Sequence, residues 1–62
     1  MTEQEIKAFE HIKDIVELIY DKDTPSSMKG VWMERFNASA EVFEILTGKK
    51  IRIHNSKAII EE

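Results

Sequence analysis

The fold turns on residues 46–60, "LTGKKIRIHNSKAII". With Asn55-Ser56 as a two-residue loop, His54 faces Lys57, Ile53 faces Ala58, Arg52 faces Ile59, Ile51 faces Ile60 and Lys50 faces Glu61. Side chains alternate across a strand, so Ile51, Ile53, Ala58 and Ile60 share one face. Lys50, Arg52, His54, Lys57, Ile59 and Glu61 share the other. A slip of one residue would scatter both sets, so the agreement of two strands on one register predicts a β-hairpin over about 50–54 and 57–61. Asn-Ser is a weaker hairpin turn than Asn-Gly because serine disfavours positive φ. The rival is a short C-terminal helix capped by Ser56.

Upstream, the period changes from two to 3.6. Thr2-Glu3-Gln4-Glu5 has the pattern of a capping box. Ile6, Phe9, Ile12, Val16 and Ile19 then recur at helical spacing with Ile15 and Tyr20 alongside, most of them in one arc about 140° wide. A helix is expected over about 3–21. Pro25 ends any helical tendency at Thr24, and Ser26 or Ser27 suits an N-cap. A second helix is expected over about 27–47, with a possible break at 37–39, where "FNAS" offers Asn37 or Ser39 as a new cap. Trp32, Phe36, Phe43 and Leu46 centre its apolar face. Met28, Val31, Met33, Ala38, Ala40, Val42 and Ile45 widen that face to roughly 240°. Gly48 supplies the C′ glycine, with Lys49 and Lys50 near the carbonyl end. The fold class is α+β: two antiparallel helices and a C-terminal hairpin, in a single domain spanning 1–62.

The 62 residues include no cysteine, so neither disulfides nor thiolate metal sites contribute. A chain this short is marginal alone, which favours oligomerisation or efficient packing as the source of stability. The opening "MTEQEIKAFEHIK" has no secretory pattern and no apolar run approaches a membrane span, so a cytoplasmic protein is expected. Net charge is −3, split as −4 over 1–23, −1 over 24–48 and +2 over 49–62.

Three features are candidates for function. Glu10, Asp14, Glu17 and Asp21 line up at i, i+4, i+7, i+11, an acidic ridge that suits a basic partner. A solvated face that keeps the chain soluble is the more ordinary explanation of the same residues. Trp32 with Met28, Met33 and Arg35 has the residue types of a protein-contact anchor, although a tryptophan at this spacing is also ordinary core. Lys49, Lys50, Arg52 and Lys57 form a basic ribbon that could lie on a phosphate backbone. A break near Asn37 would give the helix-helix-helix-strand-strand order of a winged helix. However, 39–47 carries two glutamates and no base-reading Arg, Asn or Gln. Lysines there also protect strand edges and compensate a helix end.

Nothing points to catalysis. There is no Gly-rich phosphate loop and no carboxylate pair with glycosidase or metal-site spacing. His11 has Ile15, not a ligand, at i+4, and His54 stands among cations. No cofactor, metal or small-molecule substrate is expected. The function expected is a non-enzymatic protein-binding module: a regulator, inhibitor or assembly factor of the kind phages and mobile elements carry. It is expected to bind another protein and also itself as a homodimer. The alternative is a nucleic-acid-binding regulator using the hairpin.

Overall fold

The computed structural model describes residues 1–61. The order is α1 (Glu3–Tyr20), α2 (Ser26–Thr47), β1 (Lys50–His54) and β2 (Lys57–Glu61). The strands pair antiparallel with Lys50 opposite Glu61, Ile51 opposite Ile60, Arg52 opposite Ile59, Ile53 opposite Ala58 and His54 opposite Lys57. That is the register the alternation predicts. Asn55 and Ser56 take φ of 51° and 63°, so both turn residues are left-handed. Two left-handed residues define the type I′ loop, whose twist matches that of the strands it joins. Asparagine tolerates this region, whereas serine is strained there. Ser56→Gly removes that strain at some cost in unfolded-state entropy. We expect a net gain of about 0.5–1 kcal/mol, or a few degrees in Tm. A thermal melt in which the variant is less stable than the parent would contradict the I′ turn.

Helix α1 starts as half of a capping box. The Glu5 N–H donates to Thr2 Oγ1 at 3.2 Å. The Glu5 carboxylate reaches Lys49 Nζ at 3.5 Å, a residue that the start of β1 brings beside the first turn of α1. The turn between the helices closes with the Asp23 N–H on Asp21 Oδ1 at 2.9 Å and the Thr24 N–H on the Asp21 carbonyl at 3.1 Å. Helix α2 begins one residue earlier than the capping pattern suggests. Ser26 is already helical, Pro25 is the cap residue, and no side chain caps the end. Proline is suited to a helix start because its fixed φ is compatible and its missing N–H costs nothing there.

Helix α2 runs unbroken through Asn37 and Ser39. The reason lies in Phe36 and Phe43, seven residues apart and both buried. They face the same neighbour only if two full turns of helix connect them. Burial of two rings outweighs the local capping tendency of Asn and Ser, which costs a helix only tenths of a kcal/mol per residue. The end is set by Gly48, at φ 74°, whose N–H donates to the Glu44 carbonyl at 2.7 Å. Thr47 Oγ1 donates to the Phe43 carbonyl at 2.7 Å and accepts from the Lys49 N–H at 3.1 Å. One hydroxyl thus links the last helical turn to the strand.

The core is Ile12, Ile15, Val16 and Ile19 from α1, Phe36 and Phe43 from α2, and Ile51 from β1. Phe9, Trp32, Ala40, Ile53, Ala58 and Ile60 pack around it, half-buried. The Phe9 and Phe43 rings meet at 6.5 Å with a 45° tilt. The two helices pack along their length, β1 lies on α2, and β2 lies on α1. The ribbon therefore covers one side of the helical pair only. Leu46, expected at the centre of the apolar face, is 78% exposed. It lies about 60° from Phe43 around the helix, at the level where α1 begins, so no further turn of α1 covers it. No described helix is long and apolar enough to cross a membrane.

Candidate functional site

The basic ribbon is largely neutralised within the fold. Lys49 pairs with Glu5 at 3.5 Å, Lys50 with Glu44 at 4.0 Å and Arg52 with Glu61 at 2.8 Å. The Arg52–Glu61 pair is diagonal across the two strands, a contact that long side chains reach on one sheet face. Lys57 has no ion-pair partner among the described residues. The continuous α2 also removes the three-helix order on which the likeness to a winged helix rested.

The acidic residues show the opposite pattern. Glu10, Asp14, Glu17 and Asp21 are all exposed, as are Glu34 and Glu41 on α2. None of the six has an ion-pair partner among the described residues. Three of the cations near them are engaged elsewhere. Lys7 is on Glu3 at 3.6 Å, the Lys13 ammonium is 5.8 Å from the Phe9 ring centre, and the Arg35 guanidinium is 5.3 Å from that of Trp32.

Of the aromatic and methionine group, Trp32 is half-buried against the core and serves it directly. Arg35 and Met28 stand on the same side of α2 as Trp32. Met33 lies about 140° round the helix from Met28, so the two methionines do not form one patch. The four residues do not converge into a pocket.

Sequence reasoning missed the face opposite the ribbon. There a groove runs between the helices, floored by Ile12 and Phe43 and walled by Ala8, His11, Ala38, Ser39 and Val42. Small residues at 8, 38 and 39 leave the space between the helices open. Beside it, α2 presents Val42, Ile45 and Leu46 at 55%, 74% and 78% exposure, with Val31 further along the same strip. Isolated exposed apolar residues are ordinary, but three large ones within five positions of one helix make a patch. The available signal was the 240° apolar arc, which is wider than one helix and one ribbon can cover.

Comparison of the chain with protein-family models, with curated proteins and with solved structures finds no match.

Proposed function

We propose that the chain is a small non-enzymatic protein-binding module, a regulator, inhibitor or assembly factor, and that it works through the helical face opposite the ribbon. The observation that carries this reading is the Val42–Ile45–Leu46 strip, exposed beside an apolar groove. Leaving such a strip in water forgoes about 25 cal/mol per Å² of apolar surface, so a partner that covers it gains that amount. The acidic ridge supports the reading as a second contact, because Glu10, Asp14 and Glu17 have no ion-pair partner among the described residues, while Asp21 at its end caps the turn between the helices. The homodimer expected from the sequence would use this same face. The ribbon, with three of its four cations already paired, has little charge left for a phosphate backbone.

The test is site-specific photo-crosslinking in the native host, with the reactive side chain placed at Ile45 or, as a control, at Ile59 on the outer face of the ribbon. Ile45 should yield an adduct with another protein, and Ile59 none. Adducts at Ile59 with nucleic acid, or none at Ile45, would transfer the function to the ribbon or abolish the reading.

A further inference from the structure

We infer that the occupant of the groove between α1 and α2 is a basic amphipathic helix, an inference that rests on the protein-binding reading above. The shape comes first. The groove follows two antiparallel helices whose wall residues, Ala8 and His11 on one and Ala38 and Val42 on the other, recur at intervals of three and four. Such ridges receive the ridges of a third helix. The only sheet in the described residues lies on the other side of the helices, so a strand cannot add to a sheet edge here.

The charge comes second, and it is independent of the shape. On α1, Glu10 and Asp14 lie within about 100° of His11 around the helix, and on α2 Glu34 and Glu41 lie within about 100° of Val42. The groove is thus bordered by carboxylates on both sides. All four are exposed and without an ion-pair partner among the described residues. Two cations lie within the face: Lys7, about 40° from His11, pairs with Glu3 at 3.6 Å, and Arg35 is seated on Trp32. A helix with an apolar stripe in the groove carries its flanking Lys and Arg stems along the walls and their charged heads over both borders. A second copy is a poorer occupant. It carries the same net −3, and face-to-face pairing sets its carboxylate borders against these. Juxtaposed like charges exclude partners as effectively as opposite charges recruit them.

The probe is a fluorescein-labelled helical peptide of about 18 residues, five turns, with leucines on one face and lysines on the rest. Its control has glutamate for every lysine. Anisotropy with the full chain should show binding of the Leu/Lys peptide that weakens about tenfold between roughly 50 and 300 mM salt, and no comparable binding of the Leu/Glu peptide. The decisive variant is Val42→Asp. It adds negative charge, so simple attraction of a cation to an acidic protein would tighten binding, whereas seating in the groove requires a loss of about tenfold or more. Glu10→Gln with Asp14→Asn should weaken binding severalfold and flatten its salt dependence. Circular dichroism of each variant checks that the helices persist.

Tighter or unchanged binding by Val42→Asp overturns the proposal, as does equal binding of the Leu/Glu peptide. Light scattering should give 7.2 kDa for the free chain, and twice that mass would assign the face to a second copy instead. The two levels separate cleanly. If Ile45 crosslinks a protein but the Leu/Lys peptide is ignored, the binding module stands and its basic-helix occupant falls. If Ile45 crosslinks nothing, the module itself falls.

Discussion

Phe43→Ala is expected to leave the chain without a cooperative folded state at 25 °C. Phe43 is buried, stacks at a tilt on Phe9 and forms the shared floor between the two helices. Truncating a buried phenylalanine costs about 3–5 kcal/mol through lost transfer energy and the cavity left behind. A single core in a domain of this size rarely supplies more than about 3–5 kcal/mol in total. The loss therefore equals the whole stability. Far-UV circular dichroism and a thermal melt would read it directly. The informative contrast is Leu46→Ala, three residues away on the same helix. Leu46 is 78% exposed, so its truncation should change stability by no more than about 0.5 kcal/mol. A Phe43→Ala protein that still melts cooperatively within a few degrees of the parent would contradict this core. A Leu46→Ala protein that loses as much as Phe43→Ala would show that Leu46 is buried in an assembly.

That contrast also marks where the sequence stops being legible. The hairpin could be read because period-two alternation is self-checking: Ile51, Ile53, Ala58 and Ile60 all fall inward in one register only. Helix α1 could be read because its apolar arc is narrow and its cap is local. Helix α2 gave up less. Periodicity identifies which residues lie on an apolar arc but not how much of that arc is covered, and α2 packs mainly on α1 and β1. Phe43 and Leu46 belong to the same arc, yet one is core and the other surface, because the ribbon lies on one side of the helical pair. The groove of Ala8, His11, Ala38 and Val42 was illegible for the same reason: small residues register as weak core until the neighbour that fails to cover them is known. The ion pairs of Lys49 with Glu5 and Lys50 with Glu44 were also invisible, since they join segments whose approach depends on the tertiary path.

Ile51→Ala is the second change expected to be severe, although its site is an edge of the structure and not the middle. Ile51 is the one buried residue among the described residues of the ribbon; its neighbours Ile53, Ala58 and Ile60 are half-buried. The substitution costs about 2 kcal/mol or more from the removed atoms and the cavity. Its consequence reaches further than the ribbon, because a two-stranded ribbon has no independent stability and the helices have no other cover on that side. Detaching it would expose Val16, Phe36 and Ala40 while the opposite groove is already open, leaving a helical pair bare on both sides. Hydrogen exchange should therefore show amides of β1, β2 and the centres of both helices losing protection together, as a single cooperative unit does. Loss confined to 50–61 would mean that the helical hairpin stands alone and that the ribbon is an accessory. The same variant links stability to binding. A partner that binds only the folded chain adds about 2.7 kcal/mol at a hundred times its Kd, enough to offset the lost isoleucine. Saturating Leu/Lys peptide should thus restore protection to the Ile51→Ala protein, including to ribbon amides on the face that the peptide never touches.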